Sequence, residues 1–393
     1  MTQEKNGKPM APNAFPLASD PLKGFDADLR AKARVFAREH IAEQAEQWER
    51  NRSYPHDVVK LASKTFGGFL ISKKLGGKGG TATDFLMMVE EFAKADIAFT
   101  LAFVVHHHAG LITSLSPNKA LRDRLLPDLI SGEKIGAFCL TEANAGSDAA
   151  GVTTKLTGSN LSGAKAWVTS GAVADVLAVF AMTDEGQGAK SMGCFVVDAE
   201  ANGVTRGAPY DLISGHVAQV CDVTFDQVAL TEEATMFEAG TGFATAMGAL
   251  DVARLGIAAM CNGALTRALE TALAYAGQRK MFGATTLEQQ GIQWNFADHL
   301  TQLEASRALM FQTARLFEAN EPATLAAAHS KKIANSAAND GLSWAMRAMG
   351  AEGTRRRHDL ARQHGAAQLL FNTDGTPEIM NVVIGRSLSR LYS

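Results

Sequence analysis

The hydrophobic pattern changes in the middle of the chain, and this change constrains the fold more than any other feature of the sequence. Between residues 135 and 235 the apolar residues form short runs bounded by turn residues, a pattern typical of β-strands. No helical pattern separates these runs, which favours an antiparallel β-sandwich or barrel over a parallel nucleotide-binding sheet. The predicted strands are 135–140, 152–156, 161–169, 176–183, 193–197 and 217–225.

Helical periodicity occupies the chain on both sides of these strands. On the N-terminal side, helices are predicted at 28–48, 56–66, 82–96, 99–114 and 119–130. On the C-terminal side, an antiparallel four-helix bundle is predicted from long alanine-rich helices at 250–278, 287–320, 322–349 and 377–392. The predicted fold class is therefore mainly α with a central β-domain. Its parts are an N-terminal arm (1–20), an N-terminal helical domain (21–134), a middle β-domain (135–236) and the C-terminal bundle (237–393).

Composition indicates an ordinary globular protein of 393 residues with a net charge of −3. Such a balance provides no basic field for nucleic acid or for an anionic membrane surface. The sequence contains no run of eighteen apolar residues, so it predicts no membrane span. Its polar N-terminal residues do not resemble a signal peptide. Four widely spaced cysteines without a CxxC pair are typical of reduced thiols. We therefore expect a cytoplasmic protein with no nucleic-acid or membrane partner.

Two clusters suggest ligand sites but predict none by themselves. The glycines of GGKGG at 76–80 lack the spacing of a phosphate-binding loop, and no clear strand leads into them. His106-His107-His108 point about 100° apart on a helix, so they cannot chelate one ion from one face. One of them can still face a pocket. No metal site is expected.

A candidate ligand-binding edge lies where the first predicted strand ends, in the sequence FCLTEANAGSD at 138–148. Thr141 and Ser147 offer hydroxyl groups, and Gly146 allows a ligand to approach the backbone closely because it has no Cβ. A second polar edge follows at Trp167 to Gly171. Either piece alone also fits a surface turn. Together they predict a sheet edge that holds a flat, hydrogen-bonding molecule.

The last predicted helix has a well-defined start that is a candidate for catalysis. Thr376 is a good N-cap, Pro377 suits the first helical position, and Asp374-Gly375 forms the preceding turn. Free N–H groups at a helix N-terminus can bind a carbonyl or anionic oxygen, and Asp374 beside them is a candidate base. Asp-Gly is also a common turn sequence, so this feature alone does not establish a catalytic role.

Three further charged residues have two interpretations each. Arg279 at a helix end, before Met281-Phe282-Gly283, can complement the helix dipole or bind a phosphate. Asp251 and Arg254 lie three residues apart on one predicted helix. They can pair with each other or bind the polar part of a ligand. The local sequence does not decide between these alternatives.

The order of these features is more specific than any one of them. From residue 22 to residue 392 the chain resembles the acyl-CoA dehydrogenase family. The motifs that carry the resemblance are FCLTEANAGSD (138–148), AKAWVTSG (164–171), VTFDQVAL (223–230), LDVARLGIAA (250–259), YAGQRKMFG (275–283) with Gln290, MGAEG (349–353) and DGTPEI (374–379).

The resemblance implies helical N- and C-terminal domains around a β-domain, FAD as cofactor, and a homotetramer or dimer. By resemblance, Thr141 lies near flavin N5 and Asp374 is the catalytic residue. Arg279, Phe282 and Gln290 reach the FAD of a neighbouring subunit. The implied FAD-binding residues are Phe138, Leu140, Thr141, Gly146, Ser147, Trp167, Thr169, Arg279, Phe282, Gln290, Arg347, Gly350, Thr376 and Glu378. The implied substrate-binding residues are Ser147, Asp251, Arg254 and Gly375.

The chain departs from the family pattern around the catalytic base. The usual Tyr-Glu-Gly-Thr is Thr373-Asp374-Gly375-Thr376 here. Aspartate is one methylene shorter than glutamate, and a misplacement of about 1 Å can cost on the order of 10²-fold in rate. Some relatives carry the base on the helix of Asp251 and Arg254, where this chain has Ala253. The FAD-loop pattern Gln-x-x-Gly-Gly reads RAMGA at 347–351, and Gly365-Ala366 replaces a usual Arg-Asp pair.

The leading hypothesis is an FAD-dependent oxidoreductase acting on an acyl-CoA or acyl-carrier thioester. Asp374 would remove the α-proton while the flavin accepts the β-hydride, giving an enoyl thioester. Electron-transfer flavoprotein or O₂ would then take the electrons. The departures motivate an alternative, an oxidase or oxygenase that uses O₂ on a ring-bearing thioester of secondary metabolism, for example of the tropone type. A third hypothesis is a flavin-binding scaffold without turnover.

Overall fold

The computed structural model describes residues 26–184 and 188–392, and side chains up to residue 389. The predicted arm at 1–20 lies outside these residues. Helices fill the described N-terminal part: α1 (Ala27–Phe36), α2 (Ala45–Asn51), α3 (His56–Phe66), α4 (Ala82–Ala95), α5 (Ile97–Leu115) and α6 (Lys119–Ser131). A π-helical turn at Ala37–Ala42 lies between α1 and α2, within the single helix predicted at 28–48.

Local capping explains where the central N-terminal helices begin. The Thr81 hydroxyl accepts from the Asp84 N–H at 3.1 Å, which caps α4. The Asp96 carboxylate accepts from the Phe99 N–H at 2.6 Å, which caps α5. By length and composition α5 and the long helix Gly242–Gln278 could each cross a membrane, and their most apolar windows are 89% and 56% buried within the protein. We therefore interpret α5 as a core helix.

The middle of the chain forms one mixed sheet of eight strands in the order β6-β7-β3-β2-β4-β5-β8, with β1 beside β4. The strands are β1 (Gly136–Cys139), β2 (Lys155–Thr157), β3 (Asn160–Val168), β4 (Val176–Met182), β5 (Met192–Asp198), β6 (Val204–Arg206), β7 (Cys221–Ala229) and β8 (Thr235–Phe237). Antiparallel pairing was predicted and holds for most neighbours, but β1 and β2 pair with β4 in parallel. Strand β4 is buried on both faces, because Leu177 and Phe180 belong to two different core clusters.

The C-terminal part is helical: α7 (Gly242–Gln278), α8 (Gln290–Glu318), α9 (Thr324–Ala348), α10 (Leu360–Asn372) and α11 (Pro377–Tyr392). A short hairpin, β9 (Lys280–Met281) and β10 (Ala284–Thr285), joins α7 to α8. Helix α9 packs against α7, α8, α10 and α11. The helical domains around a central sheet confirm the predicted fold class.

Helix α10 and the strands β6, β7 and β8 differ from the predictions. Helix α10 was missed, because Gly365 interrupts its pattern, and that glycine is required by packing. A Cβ at Gly365 would lie 2.7 Å from the Cβ of Ser214. Strands β6 and β8 have only three residues each, too few to show alternation. Strand β7 begins at Cys221 rather than Val217, because a 3₁₀ turn at His216–Ala218 and the left-handed Gln219 (φ 46°) precede it.

Candidate active site

The loop after β1 offers unpaired backbone donors at the edge of the sheet. Among the described residues, the backbone N–H groups of Gly146 and Ser147 donate to no acceptor. A Cβ added to Gly146 would meet nothing closer than the Thr141 methyl group at 3.9 Å, so the backbone there is open to a ligand. Phe138 and Thr141 are half-buried beside this loop, and Leu140 is buried. The predicted edge therefore forms a polar cradle.

A buried ion pair fixes the base of this loop. Lys165 on β3 is fully buried, and its Nζ lies 2.9 Å from Glu142 Oε1 and 2.9 Å from the Leu140 carbonyl oxygen. Glu142 also accepts from the N–H groups of Thr153 and Thr154 at 2.7 and 2.8 Å. Burial raises the pKa of Glu142, but these hydrogen bonds outweigh it and hold that pKa at about 2. At Lys165 burial dominates and lowers the pKa.

The second predicted edge lies directly beside the first. The Ala166 N–H donates to the Thr141 carbonyl oxygen at 2.9 Å, which places Trp167 and Thr169 next to the loop. Trp167 has a left-handed backbone (φ 58°) and is 56% exposed, unusual for so large an apolar side chain. Its ring meets the Tyr210 ring edge-on, with 4.7 Å between the ring centroids, and its backbone N–H donates to the Tyr210 hydroxyl at 3.3 Å. The tyrosine hydroxyl in turn donates to Asp222.

The candidate base lies in a strained turn between α10 and α11. Asp374 (φ 58°) has a left-handed backbone, which is uncommon for a residue other than glycine, and Gly375 (φ 101°) follows it with a positive φ that glycine adopts freely. Burial, partly offset by the positive charges of Lys331 and Arg254, raises the pKa of Asp374 to about 6. A carboxyl group with such a pKa is ionised at neutral pH yet basic enough to accept a proton.

Two cations bind the backbone of this turn. Lys331 Nζ donates to the carbonyl oxygens of Gly375 at 2.7 Å and Phe371 at 3.2 Å. Arg254 Nε donates to the Asp374 carbonyl oxygen at 3.1 Å. Lys331 belongs to α9 and Arg254 to α7, so two different helices of the bundle hold this turn.

The side chains of Asp251 and Arg254 pair with each other, which was the first of their two interpretations. Arg254 Nη1 lies 2.6 Å from Asp251 Oδ1, and the Thr324 hydroxyl donates to Asp251 Oδ2 at 2.5 Å. Both charged residues are buried. The contact of Arg254 with the Asp374 carbonyl oxygen places this pair beside the candidate base. A role at the substrate remains a prediction.

Helix α11 begins where it was predicted to begin. The Thr376 hydroxyl accepts from the Ile379 N–H at 3.3 Å, and Pro377 starts the helix. Glu378 in the first turn is exposed. Within the described residues the N–H groups of Gly375 and Thr376 have no acceptor, so they remain available to a carbonyl oxygen beside Asp374.

The other predicted FAD-binding residues lie on the surface. Phe282 in the β9–β10 hairpin has a left-handed backbone (φ 51°) and is 91% exposed. Arg279, Gln290, Arg347 and Gly350 are also exposed. Phe282 and the neighbouring Met281, which is 41% exposed, together form an apolar surface that suits contact with another subunit. That these residues reach a neighbouring subunit's FAD stays a prediction.

Three groups were missed from the sequence, namely the Glu142–Lys165 pair, Tyr210 with Asp222, and Lys331. Only Lys331 left a signal. It shares a helical face with Ala327, Ala334 and Ala338, all buried, so the spacing places a lysine on an apolar face. The contacts of the other groups join distant segments and leave no local pattern.

Comparison with known proteins extends over almost the whole chain. The acyl-CoA dehydrogenase N-terminal, middle and C-terminal domain families match residues 26–133, 137–228 and 240–389. The short-chain-specific acyl-CoA dehydrogenase of Megasphaera elsdenii is 32% identical over 94% of this chain and 99% of its own length. A subunit of the caffeyl-CoA reductase–Etf complex of Acetobacterium woodii is 30% identical over 92% and 97%. The solved butyryl-CoA dehydrogenase of Megasphaera elsdenii has a TM-score of 0.88 at 30% identity, covering 92% and 97%.

The chain belongs to the acyl-CoA dehydrogenase family. It is an acyl-CoA dehydrogenase-like oxidoreductase, and FAD is its cofactor. The described residues fit that cofactor, because the free N–H groups at Gly146 and Ser147 suit its pyrophosphate and carbonyl oxygens. The exposed Trp167 provides a flat apolar surface beside them.

Proposed function

We propose that this enzyme oxidises an acyl-CoA thioester to the α,β-unsaturated thioester, with Asp374 as the base. The observation that carries this proposal is the position of Asp374. Its carboxyl group has a pKa near 6 and lies in a turn that Lys331 and Arg254 hold through backbone carbonyl oxygens. Turns fixed in this way can keep a catalytic group at a constant distance from its substrate.

The reaction requires the loss of a proton and a hydride from adjacent carbons. The Asp374 carboxylate would accept the α-proton, and the electron pair of the broken C–H bond would form the new double bond. FAD, when bound, supplies the acceptor for the β-hydrogen, which leaves with its electron pair. The free N–H groups of Gly375 and Thr376 would donate to the thioester oxygen as it gains negative charge.

The substrate class and the electron acceptor are inferred by similarity. The Megasphaera elsdenii relative is named as short-chain specific, which favours a short acyl chain. The Acetobacterium woodii relative is named as part of a complex with Etf, which favours electron-transfer flavoprotein as the acceptor. Both assignments belong to the proposal.

An assembly of several copies is also proposed. Exposed Phe282 and Met281 in the β9–β10 hairpin support it, because such apolar surface is usually covered by a partner. Sedimentation equilibrium should give a mass of two or four chains. A mass of one chain for the holoenzyme would contradict this part of the proposal.

The test is anaerobic mixing of the holoenzyme with a panel of thioesters, namely butyryl-CoA, isobutyryl-CoA and glutaryl-CoA. At least one of them should remove the visible absorbance of the oxidised flavin. Slow recovery in air, accelerated by electron-transfer flavoprotein, is the expected result. Rapid recovery in air with H₂O₂ or an oxygenated product would instead identify an oxidase or oxygenase. Unchanged absorbance with every thioester would favour a scaffold without turnover.

A further inference from the structure

We propose that Lys331 is a positioning residue that holds the Asp374 turn and balances the charge of the base. This inference rests on the proposed role of Asp374 as the base and adds the residue that holds Asp374 in place. Lys331 lies 43 residues before Asp374 in the sequence. It belongs to α9, whereas Asp374 follows the end of α10.

The contacts of Lys331 are directed at both ends of the turn. Its Nζ donates to Phe371, in the last turn of α10, and to Gly375, just before α11 begins. Both bonds go to backbone carbonyl oxygens, so they fix the path of the chain through Asp374. A shorter base than the usual glutamate has less freedom to reach its substrate, so a fixed path matters more here.

Lys331 is an unusual lysine because its side chain is fully buried. Its relative exposure is 0%, and among the described residues no carboxylate oxygen lies within 4.0 Å of its Nζ. Burial lowers the pKa of Lys331 to about 8, so the ammonium form costs free energy in this place. A buried charge of this kind contributes little to stability, and an apolar residue of similar size often replaces one without loss. A role in positioning Asp374 therefore explains the buried lysine better than a contribution to stability.

The other charged groups around the turn are already engaged. From α7, Arg254 pairs with Asp251 while it contacts the Asp374 carbonyl oxygen. The Cys261 thiol, also on α7, is neutral because burial raises its pKa to about 12. Glu378 on α11 is exposed. Of the two cations that act on Asp374, Arg254 has a paired carboxylate, whereas Lys331 has none among the described residues.

The test compares Lys331→Met with Lys332→Met in the FAD-loaded enzyme. Lys332 is the next residue on α9, but it is exposed and its Nζ contacts Asn381 Oδ1 at 2.6 Å, so it is a matched control. Two readouts need no substrate. One is the pH midpoint of the Asp374 carboxyl infrared band, identified by its loss in Asp374→Asn. The other is amide hydrogen exchange of residues 371–373, at the end of α10.

The loss of the Lys331 charge should raise the infrared midpoint of Asp374 by about one pH unit, since a nearby opposite charge typically lowers the pKa of a carboxyl by that much or more. Exchange of residues 371–373 should become about tenfold faster, because the turn that follows them loses two hydrogen bonds. Lys332→Met should change neither readout. Lys331→Arg, which keeps the charge and the donors, should restore the infrared midpoint.

Equal midpoints and equal exchange rates in the two methionine variants would overturn the inference. If Lys331→Met loses FAD or cooperative unfolding, Lys331→Gln replaces it in the same comparison, since it removes the charge and keeps a donor. An Asp374→Asn enzyme that still reduces flavin at the wild-type rate would instead refute the proposed base, whatever the Lys331 variants show.

Discussion

Replacement of Lys165 by methionine should destabilise the protein strongly, because it leaves the buried Glu142 carboxylate without its cation. Lys165 is fully buried and Glu142 is 7% exposed, and their charged atoms lie 2.9 Å apart. Removal of one partner from such a pair costs about 3–5 kcal/mol. The variant also loses the hydrogen bond to the Leu140 carbonyl oxygen, worth about 1 kcal/mol. The loop that presents Gly146 should loosen as a result.

The assay is urea unfolding of the wild type, Lys165→Met, Glu142→Gln and the double variant, together with titration of each apoprotein with FAD. The double variant should lose less free energy of unfolding than the two single losses added together, because the unpaired charge is gone. Lys165→Met should bind FAD more weakly than the wild type.

Lys155→Met is the control, since Lys155 pairs with Asp184 at 2.7 Å while both side chains are about half exposed. An exposed pair of this kind contributes at most about 1 kcal/mol. The reasoning would be refuted if Lys165→Met lost no more free energy of unfolding than Lys155→Met. It would also be refuted if the loss in the double variant equalled the sum of the two single losses.

Two further predictions concern pH. Burial lowers the pKa of His107 from 6.5 to about 3, and its ring stacks on Phe85 at 4.7 Å. Between pH 6.5 and pH 3 the unfolded chain binds a proton at His107 that the folded chain does not. The free energy of unfolding therefore decreases as the pH falls through this range. His107→Phe should lose less thermal stability than the wild type between pH 7 and pH 4.5; equal losses would contradict this. At Asp374 the pKa rises from 3.8 to about 6, so the folded state holds the proton and stability falls as pH rises through that window. Asp374→Asn should therefore be more stable than the wild type at pH 8, on the order of 2 kcal/mol for a half-buried group, with a smaller difference at pH 4.5. A constant difference would argue against the raised pKa.

The elements that the sequence predicted well are those with a strong local pattern. Helix α3 has the predicted bounds, His56–Phe66, because Pro55 stops any earlier start and Gly67 follows its end. Strand β4 is a continuous apolar run that is buried on both faces. Helix α10 was missed because Gly365 weakens its pattern for a tertiary reason, the close approach of Ser214.

The candidate site shows the same division between local and distant information. The turn at Asp374 and the helix start at Thr376 are local, and both appear in the structure as predicted. Two interpretations of Asp251 and Arg254 stayed open because the choice depends on which side chains α7 and α9 bring together. The contacts of Lys331 with Phe371 and Gly375 span 40 and 44 residues, so no local pattern could predict them.

The central claim, that Asp374 removes the α-proton of an acyl thioester, is tested most directly by stopped-flow reduction of the flavin without oxygen. The wild type and Asp374→Asn are mixed with the thioester that reduces the wild type best. The wild-type rate should fall about tenfold from pH 7 to pH 5, because a base with a pKa of about 6 becomes protonated over that range. Asp374→Asn should show no reduction on the same timescale. Reduction of Asp374→Asn at the wild-type rate, with unchanged pH dependence, would contradict the account.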